Sequence, residues 1–140
     1  MTDRYIVDAG PLGQIAHPKP QRPVLERTER LFALGAEIFI SEVADYEVRR
    51  SFLLHRSRAS IRRLDHLQTF CRYVPITTAI MRKAADFWAE SRRRGKPTSD
   101  VHALDCDVII AAQVSLGATI FTDNIGHLSQ FAPTRRWADL

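Results

Sequence analysis

Four acidic residues stand where an α/β protein would place a binding site. Asp8 and Asp123 each directly follow a short apolar run that is typical of a buried strand. Open α/β sheets bind their ligands at the carboxyl ends of such strands. Glu47 shares a predicted helix face with apolar neighbours, and Asp107 begins the apolar stripe of another helix. We therefore expect the four carboxylates to meet in one cleft.

A cleft that holds four carboxylates needs a cation, because the negative charges repel one another. Ligand sets made only of oxygen favour Mg²⁺ or Mn²⁺ over zinc. Such an ion activates a bound water and stabilises the charge of an in-line displacement at phosphorus. The sequence therefore predicts that Asp8, Glu47, Asp107 and Asp123 are both the metal ligands and the catalytic residues.

The charge balance of the 140 residues is basic, with 20 Lys and Arg against 16 Asp and Glu and a net charge of +4. The arginines cluster, as at Arg49-Arg50 and Arg92-Arg93-Arg94. Two interpretations stay open: solvated helix faces and helix ends that favour cations, or a surface that binds a polyanion. A polyanion beside a metal cleft would be a nucleic-acid phosphodiester.

The stretch Leu104–Asn124 carries two of the four acids. It predicts an acidic loop, a buried helix, a stop at Gly117 and a parallel strand that ends at Asp123. If the helix opens at Asp105 or Cys106, Asp107 lies in the first turn, where the helix dipole favours its ionised form. A simple N-terminal cap is the alternative interpretation of Asp107.

Glu47 lies on the helix that follows Ser41, a natural N-cap. The helical period predicts that Val43, Tyr46, Glu47, Arg50 and Leu54 share one face, whereas Glu42, Asp45 and Arg49 need not lie beside apolar neighbours. The alternative interpretation of Glu47 is a surface pair with Arg50 at i, i+3.

The alternation of apolar runs and helical stripes predicts an α/β fold in a single domain spanning residues 1–140. The remaining predicted elements are a strand at 4–7, a turn at Ala9-Gly10-Pro11, a stiff loop from Gly13 to Pro23, a helix from Val24 to Leu34, a strand from Ala36 to Ile40, a helix from Ala59 to Tyr73, a short connection or strand at 74–76, a helix from Thr77 or Thr78 to Arg94, and a last strand near Arg135-Arg136 with Trp137 over the core.

Several classes of protein are excluded by composition. No run approaches about 18 apolar residues, and the start of the chain lacks the basic region of a signal peptide, so we expect a soluble, cytoplasmic protein without a membrane segment. Cys71 and Cys106 lack metal-type spacing and should be reduced. His102 and His127 could approach the acidic edge, although lone histidines are usually ordinary polar side chains.

The order of YIVDAGPL, ISEVADYE, LDCDVIIAAQ, IFTDNIGHLSQF and RRW resembles the PIN-domain family, and in particular its toxin-type (VapC-like) ribonucleases, over essentially the full chain. The resemblance implies a three-layer α/β/α sandwich with a mainly parallel central sheet. It also implies Mg²⁺- or Mn²⁺-dependent cleavage of RNA, a homodimer and inhibition by a small antitoxin protein. The family's acids fall on Asp8, Glu47, Asp107 and Asp123, with Asp105 in a supporting position.

The chain departs from the family pattern after the first acid. Many members have a hydroxyl residue there, whereas this chain has Ala9-Gly10, and Asn124 could supply a polar partner instead. The departure supports an alternative function: a catalytically weak PIN domain that acts as an RNA-binding or protein-interaction module. A phosphoaspartyl phosphatase is excluded because Gly10 occupies the position of its second aspartate, and no phosphate-binding glycine loop with a lysine is present.

Overall fold

A five-stranded sheet forms the centre of the protein. The computed structural model describes residues 3–95, 101–114 and 117–140, and the backbone alone for 101–104. The strand order is β3-β2-β1-β4-β5, and all four pairings are parallel, which confirms the predicted sheet. The strands are β1 (Arg4–Val7), β2 (Glu37–Ser41), β3 (Arg72–Val74), β4 (Thr119–Thr122) and β5 (Thr134–Arg136).

Helices cover both faces of this sheet, so the three-layer α/β/α architecture is confirmed. Within the described ranges no helix is long and apolar enough to cross a membrane. The helices are α1 (Ala9–Ile15), α2 (Arg22–Ala33), α3 (Glu42–Leu54), α4 (Arg58–Leu67), α5 (Thr78–Arg93), α6 (Val101–Gln113) and α7 (Ile125–Leu128), and a 3-10 turn follows at Trp137–Asp139.

The core lies against the two central strands. Ile6 of β1 and Phe121 of β4 are completely buried, as is Trp137, which packs edge-on against Phe121 with 6.1 Å between ring centroids. The prediction that Trp137 covers the core is therefore confirmed. Both cysteines are free thiols, as expected.

Several helix ends were predicted correctly from the residues that cap or stop the helices. The Ser41 hydroxyl accepts a hydrogen bond from the Ala44 backbone N–H and caps α3, and Thr77 caps α5 in the same way. Gly117 stands after α6 with a φ of 74°, a left-handed conformation that costs other residues free energy. Its predicted role as the stop before β4 is confirmed.

The predicted turn at Ala9-Gly10-Pro11 and the start of the predicted loop at Gly13 are wrong, because residues 9–15 form helix α1. Pro11 is tolerated because it lies in the first turn, where backbone N–H groups have no partner within the helix. Leu12 and Ile15 are buried, so tertiary packing favours the helix despite its two glycines.

The predicted helix from Ala59 to Tyr73 is too long. Helix α4 ends at Leu67, and Arg72–Val74 instead pairs with the end of β2 as an edge strand. A three-residue strand carries little local signal, so the hydrogen bonds to β2 decide its structure.

The predicted start of the helix around Asp107 is also wrong. Helix α6 begins at Val101, so Asp105 and Cys106 do not open it and residues 104–106 are not a loop. Asp107 is the seventh residue of α6 and neither caps the helix nor lies in its first turn. Its ionisation therefore depends on its neighbours across the fold and not on the helix terminus.

The face assigned to α3 needs correction. Tyr46 and Leu54 are exposed, whereas Val43, Ala44 and Val48 are buried together with Asp45. Buried Asp45 accepts two hydrogen bonds from Arg49 and one from Gln68, so partners on α3 and after α4 satisfy its charge. Asp45 is thus the buried acid of α3, and Glu47 on the same helix is half-buried.

Candidate active site

Strands β1 and β4 lie side by side and bring two of the predicted acids together. Val7 pairs in register with Phe121, so Asp8 and Asp123 leave the sheet at the same edge. Asp8 is fixed by two hydrogen bonds of 2.8 Å, one from the Ala9 backbone N–H to Oδ1 and one from the Thr122 hydroxyl to Oδ2. The first acid is therefore held in one orientation before any ligand arrives.

Burial raises the pKa of Asp8, while the hydrogen bonds from Thr122 and Ala9 lower it and the charge of Asp123 raises it. Asp123 itself is exposed. Its Oδ2 lies 3.8 Å from the point where a side chain at Gly10 would begin. Gly10 therefore lies directly beside this carboxylate at the start of α1, at van der Waals distance.

Glu47 reaches the same group of acids from helix α3. Burial raises its pKa, a hydrogen bond from the Cys106 thiol lowers it, the charge of Asp8 raises it, and the charge of Arg50 lowers it. Burial and the neighbouring Glu47 raise the pKa of Cys106 to about 12, so this residue remains a thiol and a hydrogen-bond donor.

Asp107 has a strongly raised pKa. Burial, followed by the charges of Asp8 and Glu47, raises its pKa to about 7. The Nδ1 atom of His127 lies 3.8 Å from its Oδ2. The charge of Asp8 thus raises the pKa of both Glu47 and Asp107, and the charge of Asp123 raises the pKa of Asp8.

The chemistry of this group fits a hard divalent cation, because its donors are carboxylate oxygens that lose hydration on folding. In the described part of the chain, however, no three His, Cys, Asp or Glu side chains are already arranged to hold a metal ion. Asp8, Glu47 and Asp107 repel one another, and Asp123 repels Asp8, but the four carboxylates are not preorganised as a coordination shell. Side-chain rotation would be needed to form one.

The structure shows no role beside the four acids for the supporting residues that were predicted from the sequence. Asp105 is exposed and lines an apolar cavity of about 460 Å³ between α5 and α6, together with Met81 and Trp88. The Asn124 side chain is exposed and makes no capping bond to α7. The side chain of His102 lies outside the described residues.

Two residues of the site were not predicted from the sequence. Thr122 is fully buried and donates to Asp8, and Cys106 donates to Glu47. The sequence signal for Thr122 is its place at the end of an apolar strand directly before an acid. The Asp8 carboxylate thus receives a hydroxyl donor from the neighbouring strand β4.

Similar solved structures cover nearly the whole chain. VapBC2 from Rickettsia felis, solved with a DNA fragment from its promoter, has a TM-score of 0.76 at 16% identity and covers 96% of this chain and 98% of its own. FitAcB from Neisseria gonorrhoeae has a TM-score of 0.76 at 16% identity, covering 97% and 99%. VapC20 from Mycobacterium tuberculosis, a Sarcin-Ricin loop cleaving toxin, has a TM-score of 0.61 at 18% identity, covering 87% and 92%.

No protein-family model and no curated protein matches the sequence. At 16–18% identity the structural matches speak for the fold alone. They agree with the motif order that resembled PIN domains, and they agree over almost the full length of each compared chain. The chain therefore has the fold of these VapBC and FitAcB structures, and the fold that the resemblance implied is confirmed.

Proposed function

We propose that the protein is a Mg²⁺- or Mn²⁺-dependent endoribonuclease that acts as the toxin of a toxin–antitoxin pair. The observation that carries this proposal is the position of Asp8, which is half-buried at the carboxyl edge of the sheet and repelled by Asp123, Glu47 and Asp107. Burying and gathering carboxylates costs free energy that a bound cation would offset. Such arrangements are typical of functional sites.

The four acids would hold the ion, and their immediate neighbours would keep them in place. Thr122 and the Ala9 backbone orient Asp8, and the Cys106 thiol orients Glu47. When bound, the ion would supply an activated water and offset charge on the phosphate. The net charge of +4 favours a polyanionic substrate.

The toxin assignment is supported by the kind of protein that shares the fold. The compared structures include VapBC2 and FitAcB, and VapC20 is described as a toxin that cleaves the Sarcin-Ricin loop. We extend this to a small antitoxin as the partner, a homodimer as the assembly and RNA as the substrate.

Cleavage of single-stranded or looped RNA by the purified protein tests the enzymatic part. We expect cleavage with Mg²⁺ or Mn²⁺ and none in excess EDTA, and we expect Asp8→Asn and Asp107→Asn to abolish it. Asp105→Asn is the matched control, because Asp105 lies on the same helix but lines a different cavity. Equal cleavage in EDTA would exclude the metal mechanism.

Growth of the native host tests the toxin part. Expression of the wild type without an antitoxin should slow growth, and expression of Asp107→Asn should not. If both proteins are equally harmless while the purified wild type cuts RNA, the protein is a ribonuclease without a toxin role.

The alternative is a catalytically weak PIN domain that binds RNA or protein. Ala9-Gly10 in place of a hydroxyl residue favours it, as does the absence of a preformed metal shell within the described residues. This module would bind RNA equally well with metal and in EDTA and would leave the RNA intact. Metal-dependent cleavage would exclude it.

A further inference from the structure

An aromatic residue and an arginine flank the acid cluster on helix α3. Tyr46 directly precedes Glu47, and Arg50 follows one turn later. Seen down the helix, Arg50 projects about 40° from Tyr46 and about 60° from Glu47, between the two. The side of Glu47 that faces solvent is therefore bordered by a ring and a guanidinium.

These two side chains contact each other. The guanidinium carbon of Arg50 lies 5.0 Å from the centroid of the Tyr46 ring, a cation–π geometry. The charge of Arg50 also lowers the pKa of Glu47, so the guanidinium acts on that acid. The pair thus joins the exposed surface of α3 to the candidate active site.

Packing of the core does not explain the pair. Tyr46 is 57% exposed, and the residues of α3 that enter the core are Val43, Ala44 and Val48. A large aromatic ring in solvent beside a group of acids is a typical stacking surface for a nucleobase. The planar fork of an arginine suits a phosphate, so together they match the two parts of one nucleotide.

We infer that Tyr46 and Arg50 form a positioning platform that stacks a base of single-stranded RNA and binds the adjoining phosphate beside the four acids. This inference rests on the proposed function and specifies how the substrate is held. Neither residue takes part in the chemistry. The platform places the backbone of the RNA along the rim of the cleft next to Glu47.

A pair that only supports helix α3 would behave differently, because its loss would change stability and leave RNA binding intact. Helix α5 offers the matched control. Arg92 lies 5.3 Å from the ring centroid of Trp88, also at i, i+4, and Trp88 lines the cavity between α5 and α6. The same kind of contact is thus present away from the acids.

Binding of a short fluorescein-labelled single-stranded RNA in EDTA, followed by fluorescence anisotropy, tests the platform without cleavage. Tyr46→Ala should weaken binding roughly 5- to 150-fold, the effect of losing one stacked base. Tyr46→Phe should restore it. Trp88→Ala and Arg92→Ala should bind like the wild type.

The salt dependence of RNA binding distinguishes the role of Arg50 from that of Tyr46. Arg50→Ala should lower the slope of log affinity against log salt concentration by about 0.7, the contribution of one phosphate contact on a single strand. Tyr46→Ala should leave the slope unchanged, because stacking releases no counterion. An equal change of slope in Arg92→Ala would show a general charge effect and overturn the phosphate contact.

The platform and the proposed function fail in different ways. If Tyr46→Ala binds RNA as tightly as the wild type does, or Tyr46→Phe fails to restore binding, the inference is overturned even when the wild type cuts RNA. If the binding results are as expected but no metal supports cleavage, the platform stands and the nuclease assignment fails.

Discussion

The hydroxyl of Thr122 donates a 2.8 Å hydrogen bond to Oδ2 of Asp8 and accepts a 2.9 Å hydrogen bond from the backbone N–H of Asn124. One buried side chain thus connects the ends of the two central strands and fixes the turn into α7. It also sets the direction of the carboxylate at the centre of the acid cluster.

Thr122→Val keeps the shape of the side chain but leaves Asp8 and the Asn124 backbone without this partner. We expect a loss of about 1–3 kcal/mol in the free energy of unfolding, since a buried polar group remains unpaired. Urea unfolding without metal measures it. Thr122→Ser should recover most of the loss, and Thr119→Val on the same strand should stay within about 0.5 kcal/mol. Equal effects of the two valine substitutions would contradict the role of Thr122.

The raised pKa of Asp107, at about 7 against 3.8, predicts how stability depends on pH without metal. Between these values the folded protein keeps the Asp107 proton and the unfolded chain loses it, so the free energy of unfolding falls as pH rises. Asp107→Asn removes this contribution, and its stability relative to the wild type should therefore increase through the window. Denaturation series at several pH values measure the difference. A difference between Asp107→Asn and the wild type that stays flat across this pH range would refute the prediction.

Metal binding should stabilise the wild type and not the acid variants. At about a hundred times the dissociation constant, Mn²⁺ should add roughly 2.7 kcal/mol, because the ion binds only the folded cleft. Replacing Asp8, Asp107 or Asp123 with Asn should leave the metal-free stability unchanged or higher and should reduce the gain from metal.

Thermal melts with and without Mn²⁺ measure these shifts. Alanine variants belong beside the asparagine variants, because Asp8 caps α1 and loss of a cap costs about 0.5–2 kcal/mol. Asp105→Asn serves as the control that keeps the full metal shift. The same shift in every variant would mean that these acids do not form a metal site.

Arg49→Met should destabilise the fold by about 1.5–3 kcal/mol, the range for hydrogen bonds to charged groups. Arg49 is the bidentate partner of buried Asp45 and also bonds Asp65 at 2.7 Å. Arg22→Met is the control, because its pair with Glu26 is largely exposed and such pairs contribute about 0–1 kcal/mol. Chemical denaturation of both variants compares them, and similar losses would contradict the importance of burial.

The sequence predicted those elements whose ends carry local chemistry. Ser41, Thr77 and Gly117 mark boundaries through backbone hydrogen bonds and backbone conformation, which act within a few residues. Asp8 and Asp123 could be placed at one edge because parallel strands end together. The approach of Glu47 and Asp107 to Asp8 depends on the packing of α3 and α6, and the role of the four acids as metal ligands stays a prediction.

The errors arose where distant contacts decide the structure. Helix α1 forms because Leu12 and Ile15 are buried, although its glycines argue against a helix. On α3, helical periodicity could not show that Asp45 faces inward. Its partner Gln68 lies far along the chain, as does Asp65, which binds the neighbouring Arg49. Thr122 was not predicted as a residue of the site because its partner, Asp8, lies near the other end of the sequence.

The insertion of β4 beside β1 also governs when the site can exist during synthesis. Asp8 is separated from Asp123 by 115 positions, which a ribosome adds in roughly 6 to 23 seconds at roughly 5–20 residues per second. Until β4 has been made, the nascent chain lacks both a central strand and the last acid. A growing chain therefore cannot bring Asp8 and Asp123 together, and the acid cluster forms only after the last strands of the sheet have been added.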